Sequence, residues 1–249
     1  MSHSTDDDWE KLGEVDPYWA VLSQDANRRA VLTDDARRRF YQGGEDYLDR
    51  LWRLCRREFG DDFAPARALD FGCGVGRVTI PLARRCASVV AADVATSMLR
   101  EARKALEEQR VENVELLQSD DALQGIEGPF DFVHSLLVFQ HVPSPRGLKL
   151  IDRLLDVAGP EGTIALHVLF YNPHERPPLE RRVRGIARAL LRPFRSRPRV
   201  EMHPYPMNDV LRILHRRGFR DLHLEFTEHA GHLGVTCMGR LSGASRGGP

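Results

Sequence analysis

The stretch that decides the fold is Ala68-Leu69-Asp70-Phe71-Gly72-Cys73-Gly74-Val75-Gly76-Arg77, residues 68–77. The apolar run that ends at Phe71 reads as a buried strand, and the pattern from Val75 to Arg84 reads as a helix. Between them stand glycines at 72, 74 and 76. A strand that feeds a helix through glycines is the βα turn of an open α/β sheet. Ligands of such sheets sit outside the carboxyl ends of the strands, where missing β-carbons let backbone approach a flat or extended molecule. A dinucleotide site calls for G-x-G-x-x-G, so that a helix N-terminus meets a pyrophosphate. Here the spacing is G-x-G-x-G, with Asp70 two residues ahead of the first glycine. A carboxylate there suits a ligand carrying a cationic amine better than a phosphate.

Outward from this turn, short apolar runs alternate with amphipathic segments. Strands are expected at 66–71, 88–92, 114–117, from 130, and at 163–169, 222–226 and 235–240. Helices are expected at 97–108, at 208–217, and after Ser144, with Pro145 in the first turn and Gly159-Pro160 as the stop. This alternation predicts an α/β fold with a doubly wound, mostly parallel, seven-stranded sheet. Ahead of it, residues 1–16 are acidic and expected to fray. Residues 17–63 read as mostly helical, broken at Gly43-Gly44, with Tyr47, Leu48, Leu51, Trp52, Leu54, Cys55 and Phe59 on one buried face. The domain reading is an N-terminal helical cap at 1–63, a main domain at 64–241 and a disordered tail at 242–249. Residues 172–206 are expected to be a basic helical insertion after the fifth strand. Within it, 172–200 holds nine arginines and five prolines.

Composition limits the function classes. The 249 residues carry 36 Lys+Arg against 36 Asp+Glu, which disfavours a general nucleic-acid coat and leaves a local basic patch open. Cys55, Cys73, Cys86 and Cys237 are irregularly spaced, with no C-x-x-C, so no structural zinc or other metal site is indicated. The acidic N-terminus is unlike a secretory signal, and no apolar run approaches the roughly 20 residues of a membrane span. These features predict a soluble, cytoplasmic protein.

The motif LDFGCGVGR at 69–77 resembles the first motif of the class I S-adenosylmethionine-dependent methyltransferases. The resemblance runs over residues 66–169 and more weakly to 240. It implies a Rossmann-like methyltransferase fold, S-adenosylmethionine as cofactor and S-adenosylhomocysteine as product. By that resemblance Asp70, Gly72, Cys73, Gly74 and Gly76 hold the cofactor's amino-acid end. In VVAADVATSML (89–99), Asp93 binds both ribose hydroxyls, a task for a carboxylate with several acceptor sites, while Val94 and Met98 flank the adenine. In LLQSDDAL (116–123), Asp120 reads the adenine amino group, with Asp121 adjacent. The alternative for Asp120 is a helix N-cap. FDFVHSLLVFQHV (130–142) places His134, Ser135, Gln140 and His141 beside the methionine part. His141 is either a general base toward the acceptor or a positioning residue.

The stretch FDFVHS…VFQHVP resembles small-molecule methyltransferases and lacks the [DN]PP[YF] of adenine-N6 nucleic-acid enzymes. DPYWAVLS (16–23) and RRRFYQGGEDYL (37–48) resemble a lead-in that caps the cofactor, which makes Tyr18, Trp19, Phe40, Tyr41 and Gly44-Glu45 acceptor-pocket candidates. Tyr171, His203 and Tyr205 join them from the C-terminal connections. The implied activity is methyl transfer to an O or N atom of a small molecule. The alternatives are an RNA or protein methyltransferase using the arginines of 176–199, and a non-catalytic cofactor-binding protein. Arg181, Arg182, Arg184, Arg188 and Arg192 fit an anionic partner, or the solvated face of a lid or homodimer helix.

Overall fold

The computed structural model describes residues 5–174, 200–229 and 231–241. Seven strands form one sheet: β1 (Arg67–Phe71), β2 (Ser88–Asp93), β3 (Val114–Gln118), β4 (Phe130–Ser135), β5 (Ala158–Tyr171), β6 (Phe219–His229) and β7 (His232–Leu241). Their order is β3-β2-β1-β4-β5-β7-β6. The first five pair in parallel, and β7 runs antiparallel between β5 and β6. The order reverses between β1 and β4, the switch point beyond whose strand ends a ligand crevice opens. The doubly wound expectation therefore holds, with one antiparallel hairpin at the edge.

Side-chain alternation along the strands splits the core into two layers. Leu69, Phe71, Val133, Ile164 and Leu166 pack with α6 (Ser144–Leu154) and α7 (Met207–Arg216) on one face. Ala68, Phe132, Ala165 and Met238 face the other way, against Leu48, Leu51, Trp52 and Cys55 of α3 (Asp34–Phe59) and Leu82 of α4 (Thr79–Ala83). Burying each large α3 side chain contributes about 1.5–3 kcal/mol. The Thr33 hydroxyl caps α3 by accepting from the Ala36 N–H, and Gly60 ends it at φ +113°.

Four local expectations change. Residues 5–15, expected to fray, form α1 (Thr5–Val15), which packs on α5 (Thr96–Glu108); a Cβ on Gly13 would lie 2.1 Å from Ser97 Oγ. Gly43-Gly44 does not interrupt α3. A Cβ on Gly44 would fall 2.1 Å from the Arg77 carbonyl oxygen, so this glycine is a contact and not a breaker. The helix expected at 75–84 is only Thr79–Ala83, because Gly76 takes φ +82°, outside the α-helical region. Finally, α6 has no side-chain cap and ends at Leu154, while Gly159 and Pro160 lie inside β5, near its start. α2 (Pro17–Val21) completes the N-terminal helices. The arginine-rich segment 176–199 and the tail 242–249 lie outside the described residues. No helix among the described residues is long and apolar enough to cross a membrane.

Candidate functional site

A cavity opens beyond the ends of β1, β2 and β4, at the switch point. Its walls include Asp70, Gly72, Cys73 and Gly74 from the β1 turn, Asp93, Val94 and Met98 beyond β2, and Asp120 and Asp121 beyond β3. His134, Val138 and His141 come from the β4 side, and Asp6 and Trp9 come from α1. Sequence separation hides this convergence; the parallel register produces it, with Asp70 level with both Ala91 and His134.

The glycine turn is shaped by close approach. Gly72 has φ +75°, and a Cβ there would meet Val138 Cγ2 at 2.1 Å. Any side chain would push the β1 turn away from the β4 loop and distort the floor of the cavity. Asp93 faces this turn: one carboxylate oxygen accepts from the Gly74 N–H at 2.9 Å, the other from the Ala95 N–H at 3.0 Å. Burial pushes its pKa up to about 6, against the pull of those two N–H groups. Acceptor capacity remains on both oxygens.

Asp70 is 3% exposed. One oxygen accepts from Thr79 Oγ1 at 2.6 Å, and the other meets His134 Nδ1 at 2.9 Å. Asp120 Oδ1 accepts from the N–H groups of Ala122 and Gln124 at 2.9 and 3.1 Å, holding a tight turn and leaving its second oxygen outside those bonds. Asp121 instead pairs with Arg146, whose guanidinium also grips Asp6 of α1 at 2.8 Å. Of the two adjacent acids, Asp120 is the one not tied up in an ion pair.

His141 lines the cavity with both ring nitrogens engaged. Nδ1 donates to the Glu201 carbonyl at 2.8 Å, so Nε2 accepts from the Gln140 amide at 3.0 Å, and Trp9 packs edge-on at 4.9 Å. Burial pushes its pKa down to about 4, so the ring is neutral near pH 7.

Gly76 and Ser135 do not line the cavity: Gly76 packs toward Ala102, and Ser135 Oγ is buried without a hydrogen-bond partner. None of the acceptor candidates Tyr18, Trp19, Phe40, Tyr41, Gly44, Glu45, Tyr171, His203 and Tyr205 lines it either. Tyr18 packs edge-on against Phe40, and Tyr41 donates to the Val75 carbonyl at 3.2 Å. Trp19 stacks under Arg28, and Tyr205 is buried against Gly147, donating to the Val142 carbonyl at 3.0 Å. Tyr171 stands 51% exposed at the end of β5, and the His203 N–H bonds the Gln140 carbonyl.

Arg77 carries no signal of a site in the sequence, where an arginine defaults to the surface. It lines the cavity, donates Nε–H to the Phe40 carbonyl at 3.1 Å and lies over the Phe40 ring at 5.5 Å. No carboxylate among the described residues forms an ion pair with it, and desolvation lowers its pKa.

This sheet order, with a glycine turn after β1 at the switch point, is a Rossmann-like arrangement. Residues 68–162 match a family model described as a methyltransferase domain. Among curated proteins, the chain is 33% identical over 132 residues to a ubiquinone biosynthesis O-methyltransferase of Dinoroseobacter shibae, covering 51% of this chain and 52% of that one. It is 35% identical over 114 residues to the Xanthomonas campestris pv. campestris protein of the same name, covering 43% and 45%. The match thus spans about half the length of these relatives. Among solved structures, magnesium protoporphyrin IX methyltransferase from Synechocystis PCC 6803 with bound S-adenosylhomocysteine aligns over 92% of this chain and 99% of its own, at TM-score 0.60 and 22% identity. A methyltransferase from Methanosarcina mazei aligns over 72% and 93%, at TM-score 0.54 and 18% identity. At these identities the structural likeness is one of fold.

Proposed function

We propose that the protein is an S-adenosylmethionine-dependent methyltransferase acting on an oxygen or nitrogen of a small-molecule acceptor. The observation that carries this reading is the convergence of Asp70, the Gly72–Gly74 turn, Asp93 and Asp120 on one cavity at the switch point. The residues suit the cofactor end to end. Asp93 offers its remaining acceptor sites to the ribose hydroxyls, and Asp120 offers its second oxygen to the adenine amino group. Val94 and Met98 supply apolar contact for the base, and Asp70 faces the ammonium. Arg77, a cavity-lining cation that forms no ion pair among the described residues, faces the carboxylate.

S-adenosylmethionine supplies an activated methyl group on a sulfonium. The chain must therefore align donor and acceptor and keep water out. The apolar walls around Phe71, Leu136, Leu137, Val138 and Leu150, covered by α1, serve that purpose. For a hydroxyl acceptor, His141 is the proposed base, its Nε2 becoming available when the acceptor replaces the Gln140 amide. The curated relatives are named as O-methyltransferases, which favours oxygen as the methylated atom. The RNA or protein alternative rests on 176–199 and has no support within the cavity.

Calorimetric titration with S-adenosylhomocysteine tests the reading. Wild type is expected to bind at micromolar concentration, and Asp93→Ala to weaken binding by about 100-fold through loss of two charged hydrogen bonds. Binding of NADH in its place would overturn the proposal. Release of S-adenosylhomocysteine with a panel of phenols and amines then finds the acceptor.

A further inference from the structure

Asp70 does not stand alone beneath the cavity. It belongs to a chain of four side chains, Thr79–Asp70–His134–Tyr47, buried at the first three and half-buried at Tyr47, with links of 2.6, 2.9 and 3.1 Å. The chain arises from the sheet's own geometry. β1 and β4 are in register at Asp70 and His134, so both side chains leave the sheet on the same face, the one covered by α3 and α4. α4 supplies Thr79 and α3 supplies Tyr47. His134 is fully buried, stacked on Phe132 and tilted against Tyr47.

The partners fix the proton positions. Burial pushes the Tyr47 phenol up, so it remains an O–H donor. Its partner among the described hydrogen bonds is His134 Nε2 at 3.1 Å, which accepts from the phenol when the ring is neutral, because Asp70 on the other side can only accept and so takes the Nδ1 proton. A neutral ring that accepts at Nε2 carries its proton at Nδ1 and donates it to Asp70. Thr79 donates to the other Asp70 oxygen. Both oxygens of Asp70 are thus held by donors from the core side, and their remaining acceptor directions are left for the cavity. Without the His134 donor, a nearly buried carboxylate would keep one side-chain bond and be free to turn.

We propose that His134 and Tyr47 are positioning residues: Tyr47 sets the His134 tautomer, and His134 aims Asp70 at the cofactor's ammonium. This rests on the cofactor reading above. Its consequence is that a phenol on α3, absent from the cavity wall, governs how well the site distinguishes ligands that carry an amino-acid end from ligands that lack one.

The experiment compares two ligands on four proteins. S-adenosylhomocysteine has the ammonium; 5′-methylthioadenosine keeps adenine, ribose and sulfur without it. The proteins are wild type, His134→Leu, His134→Asn and Tyr47→Phe, each checked for cooperative unfolding in urea. His134→Leu is expected to lose about 10–100-fold in affinity for S-adenosylhomocysteine, the range for removing an outer hydrogen-bond partner of a charged ligand-binding group. Its affinity for methylthioadenosine should stay within about twofold. His134→Asn, whose amide can reproduce the Nδ1 donor, should recover most of the loss. Tyr47→Phe should fall between, and KM for S-adenosylmethionine should rise more than kcat falls. A parallel loss for both ligands would mean a purely structural role and overturn the proposal. Unchanged discrimination in Tyr47→Phe, the milder variant, would overturn it too, even if His134→Leu failed to fold. Wild type that bound neither ligand would remove the cofactor reading itself, and this inference with it.

Discussion

Asp93 carries a conflict that can be measured. To hold ribose hydroxyls it must accept hydrogen bonds, and the ionised carboxylate accepts best. Its surroundings push the pKa up to about 6, because burial outweighs the N–H groups of Gly74 and Ala95. Proton and ligand therefore compete for the same oxygens. Cofactor affinity is expected to level off above about pH 7 and to fall roughly tenfold per pH unit below about 6, as the ionised fraction falls. Calorimetric titration of S-adenosylhomocysteine at pH 5, 6 and 7.5 reads this directly, with Asp93→Asn as the control that should flatten the profile. A flat wild-type profile would mean that Asp93 does not meet the ribose. The same residue shows what a sequence can reveal. An acid that ends an apolar run, one βα unit beyond a glycine turn, is legible because strand direction and ligand crevice are linked by topology. The acceptor candidates were less legible. Tyr18 and Tyr205 lie beneath the surface as core, and an aromatic ring reads the same in sequence whether it lines a cavity or fills one.

α3 shows where local preference yields to packing. Two glycines in a row cost a helix about 1 kcal/mol each, which is why the sequence predicts a break at Gly43-Gly44. The helix runs through both because α3 must pass over the chain at Arg77. The two glycines differ in a way that can be tested. A Cβ on Gly44 meets the Arg77 backbone carbonyl at 2.1 Å, whereas on Gly43 it meets only the movable end of the Arg77 side chain at 3.0 Å. Gly44→Ala is expected to destabilise by about 1–3 kcal/mol, as overpacking does, and to weaken cofactor binding as α3 lifts from the glycine turn. Gly43→Ala should stay within about 1 kcal/mol of wild type, since helix propensity then offsets the small shift required. Equal effects in urea unfolding would refute the close-approach explanation. Strand positions were legible because buried parallel strands are continuous apolar runs. The link between Tyr47 and His134, 87 residues apart, was not, because only the folded register brings them together.

For the whole molecule, three buried groups set how stability varies with pH below neutrality. His141 and His167 are both pushed down to about 4, by burial first. Unfolded, each takes a proton near its ordinary 6.5; folded, each stays neutral until about 4. Between those values the unfolded chain binds more protons, so the contribution of each ring is complete above 6.5 and shrinks as pH falls. At most it is on the order of 3 kcal/mol per ring. Asp93 works in the opposite sense. Its folded pKa of about 6 lies above the ordinary 3.8, so its contribution is complete below 3.8 and is lost as pH rises through 6. It is partly open to the cavity, which reduces its weight, and two histidines oppose it. The midpoint of urea unfolding is therefore expected to rise from pH 4.5 to 6.5 and then flatten. His167→Gln isolates one ring at a distance from the cavity wall: its amide can still meet Thr227 Oγ1, the partner of His167 Nε2 at 3.1 Å, but it does not titrate. The slope of stability against pH should fall in this variant relative to wild type. A wild-type midpoint that stayed level or declined over that window would show that Asp93 outweighs both rings. Stability would then be lost through Asp93 as pH rises toward 6, and not through the two histidine rings as pH falls.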